Sequence, residues 1–163
     1  MNYLPANVYA RLSLVAITLT GFMTTLHHVY RLGLGVLIPF TVITLLLPYL
    51  LMRWYSRAAN SVALWAYGLF NLLIFLWFGF IDGFLDHVFK AVGLENTTFL
   101  PGGEAEVVKT AFSLWSPEAG NFFYEGTGVI TSIVSVFALY YAYRFIQSQR
   151  SATVIPQGMN KAV

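Results

Sequence analysis

The chain has 163 residues, of which 58% are hydrophobic, 17% aromatic and only 10% charged, with a formal net charge of +2. A soluble domain carries about 25% charged residues, so a mean hydropathy of +0.67 places the chain in the membrane class and leaves no room for a second globular domain. The small net charge, without any Lys/Arg-rich run, excludes a nucleic-acid partner, and the lack of cysteine excludes disulfides, iron–sulfur clusters, thiolate zinc sites and cysteine nucleophiles.

A helical span needs roughly 20 mostly apolar residues. Four stretches meet that need, at about 9–29, 34–52, 61–81 and 126–145. The first eleven residues lack the basic start and small-residue cleavage site of a secretory signal, so the first stretch is expected to be retained as a span. Pro39 and Pro48 lie inside the second, where each removes a backbone donor and bends the helix. Asn71 is the one strong hydrogen-bonding side chain deep in the third, and an amide there is expected to tie helices together. Gly79-x-x-x-Gly83 reads as a surface for close helix approach.

Between the third and fourth spans, residues 82–124 form the one extended polar region. Pro101-Gly102-Gly103 supplies a turn, and residues 104–115 carry apolar side chains at helical spacing, as in a short amphipathic helix on the membrane surface. Asn96-Thr97-Thr98 matches a glycosylation acceptor, a short pattern of little specificity. Ser116-Pro117-Glu118 then reads as an N-cap, a first-position proline and an acid in the first turn. The expected architecture is an all-α, four-transmembrane-helix bundle over residues 1–150, followed by a disordered cytoplasmic tail at 151–163. Arg53, Arg57, Arg144, Arg150 and Lys161 share the side of the termini, against Arg31, Lys90 and Lys109 on the other, so the positive-inside rule puts the termini in the cytoplasm of a plasma membrane.

All seven acidic residues lie between Asp82 and Glu125, and all three histidines map to the same membrane face. His27 and His28 close the first span, Asp82, Asp86 and His87 close the third, and Glu125 opens the fourth, with Glu118 about two turns before it. Nitrogen and oxygen donors of this mix suit zinc, iron, manganese or copper(II), and the candidate ligands are His27, His28, Asp82, Asp86, His87 and Glu125. Haem held by two histidines ranks behind, because the carboxylates beside His87 make a poor lining for an apolar macrocycle. The competing account is a structural ion-pair network in which Arg31 and Lys90 satisfy the acids. Without H-E-x-x-H, Glu-x-x-His, G-x-S-x-G or a phosphate loop, the reaction stays unnamed. Two classes of function follow: a membrane metalloenzyme or metal-handling unit with an extracytoplasmic site, or an accessory subunit of a larger membrane complex. The expected partners are the lipid bilayer and other membrane subunits or a second copy of the chain. A transporter or channel ranks last, since one four-helix bundle is too small for inverted repeats and its spans hold almost no ionisable groups.

Overall fold

A computed structural model describes the backbone of residues 5–94 and 117–154, and their side chains except at 29–34, 36, 37, 117, 118, 120, 121 and 151–154. Apart from Pro5, Ala59, Asn60 and residues 92–94, the described residues are helical. Among the described residues, four helices are long and apolar enough to cross a membrane: Ala6–His28, Ile38–Ala58, Ser61–Ala91 and Phe122–Arg150. The third extends well past the expected boundary at 81, so Asp82, Asp86 and His87 stand on the continuing helix. Of the expected polar region at 82–124, residues 82–91 and 117–124 are helical, while residues 95–116, with the expected amphipathic helix and the Asn96 motif, lie outside the described residues, as does the tail beyond Val154.

The first two spans belong to one helical run, α1 (Ala6–Ala58). Sixteen residues of straight helix would separate Thr25 from Thr41 by about 24 Å. Their hydroxyls are 2.9 Å apart, so the chain doubles back between them. Gly21 makes that approach possible: a Cβ there would meet Thr44 Oγ1 at 3.0 Å. Pro39 and Pro48 both fall in the second arm, where the sequence places its bends. Ala59 ends α1 in the left-handed region (φ 47°), and Asn60 at once caps the next helix, its side chain accepting from the N–H of Val62 at 2.8 Å and of Ala63 at 3.3 Å.

The third span changes character along its length. It begins as α2 (Ser61–Ile74), becomes a π-helix over Phe75–Val88, and ends in one α-helical turn, α3 (Phe89–Ala91). A π-helix closes its hydrogen bonds over five residues rather than four, and stretches beyond a single turn are rare. The wider turn gathers Gly79, Asp82, Gly83, Asp86 and His87 onto the buried side. The glycines do what their spacing predicts. A Cβ at Gly79 would collide with the Ser135 hydroxyl, and one at Gly83 would sit 3.0 Å from the Gly128 carbonyl, so the π-helix lies directly against the last helix, α4 (Pro117–Val154).

α4 includes Pro117 and packs along both α1 and the π-helix; the expected N-cap Ser116 lies outside the described residues. At the end of the bundle that holds the termini, Tyr9, Met52, Leu64, Tyr67, Phe145 and Ile146 form an apolar plug. Tyr55 donates to Gln149 at 2.8 Å there, and Arg144 lies over the Tyr9 ring at 5.2 Å. Ala16, Ile17, Ile74 and Ala138 fill the middle. Much of the remaining interior is hydroxyl-bearing. Thr20, Thr131 and Ser135 are buried and donate to carbonyls three or four residues back in their own helices, which satisfies them without water. Asn71 does the same, through Nδ2 to the Tyr67 carbonyl. The direct tie between spans at this depth is therefore Tyr67 with Ser13, 2.8 Å apart and both buried. Tyr67→Phe removes that bond and is expected to cost about 1 kcal/mol, read as a lower midpoint in denaturant titration of the micelle-bound protein.

Candidate metal centre

The end of the bundle opposite the termini brings together side chains from three spans. His27 and His28 come from the first arm of α1, Asp82, Asp86 and His87 from the π-helix, and Glu125 from α4. His27, Asp82 and His87 are each 1% exposed or less, and His28 and Asp86 are 6% exposed. One donor atom from each of His27, Asp82 and His87 lies within 4.8 Å of the others.

The three imidazoles share one arrangement. His28 Nδ1 donates to the Thr24 carbonyl at 2.9 Å. His87 Nδ1 donates to Glu125 Oε2 at 2.8 Å. His27 Nδ1 stands 3.0 Å from Thr127 Oγ1, whose own proton goes to the Phe123 carbonyl at 2.7 Å, so the hydroxyl oxygen accepts from the ring. Each Nδ1 thus carries the proton, and in the neutral ring each Nε2 keeps a lone pair. Those Nε2 atoms face carboxylates. His28 Nε2 is 3.6 Å from Asp82 Oδ1, His27 Nε2 is 3.9 Å from Asp82 Oδ2, and His87 Nε2 is 3.9 Å from Asp86 Oδ2.

None of these separations is a hydrogen bond. Among the described residues, both Asp82 oxygens and the Nε2 atoms of His27 and His87 are buried with no hydrogen-bond partner. A buried carboxylate facing imidazole lone pairs is an expensive arrangement unless a cation sits among them. The spacing has the right scale for one. Donors about 2.0–2.1 Å from a single ion lie roughly 3.3 Å apart in a tetrahedron, so small side-chain rotations separate these distances from ligation.

Further side chains pack around the imidazoles. Tyr124 stacks on the His27 ring at 4.3 Å and meets His87 edge-on at 4.9 Å. Gly128 leaves the space that the His87 ring occupies, since a Cβ at 128 would fall on that ring. Lys90 lies 3.4 Å from Glu125 Oε1 and 3.9 Å from Asp86 Oδ1, the ion pairing that its position one turn after Asp86 indicates. The alternative partner, Arg31, has its side chain outside the described ones, as does Glu118. His27 and His87 have ring centroids 4.4 Å apart, which leaves no space for a porphyrin between them.

All six sequence-nominated residues therefore meet in one region, at different depths. Asp82 and the histidines form the inner set, while Glu125 and Lys90 close the outside. Thr24, Tyr124, Thr127 and Gly128 escape sequence reasoning. The one trace of Thr24 in the sequence is its place four residues before His28, where a helical carbonyl points forward along the helix. Compared with known proteins, the chain matches no family model, no curated protein and no solved structure.

Proposed function

We propose that the chain is a membrane metalloprotein in which His27, His28 and His87, through Nε2, and Asp82, through its carboxylate, hold one transition-metal ion at the extracytoplasmic boundary of the bilayer. Three nitrogens and one oxygen suit zinc, iron(II), manganese or copper(II). The observation that carries the reading is the matched set of Nδ1 acceptors around a buried Asp82 carboxylate that has no hydrogen-bond partner. Metal-ligating histidines typically give their second N–H to a carboxylate, carbonyl or similar acceptor, which fixes the ring and raises its basicity. Glu125 is then a positioning residue for His87, and Asp86 with Lys90 closes the outer side. The bias of Arg53, Arg57, Arg144 and Arg150 toward the opposite end supports the extracytoplasmic placement. Along residues 12–26, 38–52, 61–81 and 126–143 no Asp, Glu, Lys, Arg or His occurs, which favours a metalloenzyme or metal-handling unit over an ion pathway.

The test is elemental analysis of protein purified gently and without chelators. About one equivalent of a transition metal is expected, and His87→Ala is expected to hold less than about a tenth of that. Glu125→Gln keeps the ligands but weakens the hold on His87, so affinity is expected to fall about 10- to 100-fold in competition with a chromogenic chelator. Metal retained at full stoichiometry in His87→Ala, or no uptake by wild type when metal is added back, would sink the proposal.

One observation favours a second reading, an accessory subunit of a larger membrane complex. Only 17% of the most apolar stretch of Ile38–Ala58 is buried, against 39% for the first and fourth spans. Ile38, Val42, Ile43, Leu46, Leu50 and Trp54 leave an outward apolar face for lipid or for another helix. Co-purification of other polypeptides in fixed ratio from mild detergent would support that reading, and a lone, monodisperse particle counts against it.

A further inference from the structure

A groove of about 870 Å³ runs down the outside of the bundle beside the proposed centre, lined by Lys90, Phe122, Glu125, Gly126, Val129 and Ile130. It lies within the size range of small-molecule sites. The two ends of this groove differ chemically. Val129 and Ile130 make the lower wall on the lipid side, with Ile130 44% exposed, while the Lys90–Glu125 pair stands at the upper end, the two side chains 32% and 24% exposed. Gly126 forms the floor, and a Cβ there would meet nothing within 4 Å. Another groove, lined by Leu14, Val15, Leu19, Leu45, Leu46 and Tyr49, carries no charged group and resembles an ordinary lipid-facing surface.

The charges at the upper end restrict what fits. Among the described residues, Asp86 and Glu125 set two carboxylates against one ammonium, so an anionic head meets net repulsion from them. A cationic head has to displace Lys90. A neutral hydroxyl both donates to Glu125 and accepts from Lys90, while its hydrocarbon chain lies along Val129 and Ile130. Glu125 Oε2 is in turn bonded to His87, so a head docked here touches the group that orients a ligand of the proposed centre.

We infer that this groove binds a bilayer-dissolved amphiphile with a neutral, hydroxyl-bearing head, delivered sideways from the membrane to the Glu125–His87 pair. The consequence for chemistry rests on the metal-centre reading; the binding itself does not. The probe is a long-chain alcohol carrying a mid-chain diazirine, photolysed with the full-length protein in phosphatidylcholine vesicles and mapped by mass spectrometry. The matching photoreactive hydrocarbon without the hydroxyl is the comparison. The alcohol is expected to label residues 122–130 about fivefold more than the hydrocarbon does, the worth of one partly exposed hydrogen bond. Both probes are expected to label the apolar groove at 45–49 equally.

Gly126→Leu places its Cβ in open space and its side chain on the floor of the groove, and is expected to reduce the 122–130 label to the level at 45–49, with metal content unchanged. Equal labelling of residues 122–130 by the two probes overturns the inference, as does undiminished labelling in Gly126→Leu. Protection of the groove by the chain's own residues 104–115, seen as crosslinks from those residues to Phe122, also overturns it. Head-dependent labelling in wild-type protein that takes up no added metal would sustain the groove and sink the metal centre alone, so the two failures are separable.

Discussion

Gly128→Ala is expected to empty the metal centre without altering a single proposed ligand. The added methyl would fall on the His87 ring and lie 2.9 Å from the His87 Cβ, and neither the ring nor the backbone beneath it is a flexible end that can swing clear. His87 has no exposed surface to move toward, and its Nδ1 is held by Glu125 on the same helix as Gly128. Relief therefore requires α4 and the π-helix to move apart or His87 to leave its position. Sites of this kind tolerate about 0.5 Å of misplacement, so metal affinity is expected to fall by at least about 10-fold, while the helical circular dichroism signal persists. Gly126→Ala supplies the control from the same helix two residues away. Nothing lies within 4 Å of a Cβ there, and exchanging an interior helical glycine for alanine stabilises by roughly 0.5–1 kcal/mol. Normal metal content in Gly128→Ala would show that His87 is not held where the proposed ligation requires it.

The second large effect concerns stability. An ion that binds only the folded bundle stabilises it by about 4 kcal/mol at a free concentration 1,000 times its Kd. Chelation is therefore expected to lower the thermal midpoint of the wild-type protein, with recovery on adding the metal back. Asp82→Asn is nearly isosteric but has no charge to offer a cation. Its midpoint is expected to ignore both treatments. In chelator, moreover, Asp82→Asn is expected to melt at or above wild type, because the buried carboxylate that lacks a hydrogen-bond partner is gone. A wild-type midpoint unmoved by metal and chelator would mean that Asp82 tolerates burial by other means. The ion-pair network would then be the better account.

The four spans were legible because lipid imposes a demand that composition expresses directly: long apolar runs, with charge at their ends. The gathering of His27, His28, Asp82, Asp86, His87 and Glu125 was legible for the same reason, since up-and-down helices bring alternate span ends to one face. The division of roles among them was not. Whether Glu125 meets an ion or orients His87 depends on side-chain direction, and hydropathy is silent on that. The π-helix was equally hidden, because Phe75–Val88 is apolar almost all round its axis and its sequence pattern does not distinguish a four-residue from a five-residue closure. Thr127 escaped because hydroxyls in spanning helices usually satisfy themselves on their own backbone. Thr127 does so too, and has an oxygen lone pair left over for His27.

His27 and Thr127 are one hundred residues apart, and their contact has a consequence for biogenesis. Spans enter the bilayer in order as the chain emerges from the ribosome. When the first two have been inserted, His27 and His28 are in place, but no carboxylate faces them. Insertion of the third brings Asp82 and His87 but not the acceptors Thr127 and Glu125, nor the Gly128 surface under the His87 ring. Only the arrival of the fourth span closes the set. On the proposed ligation all four ligands are present once the third span is in, and full metal affinity is expected only when the fourth brings Glu125 and Thr127, so a nascent chain stalled before residue 125 is expected to hold metal about 10- to 100-fold more weakly.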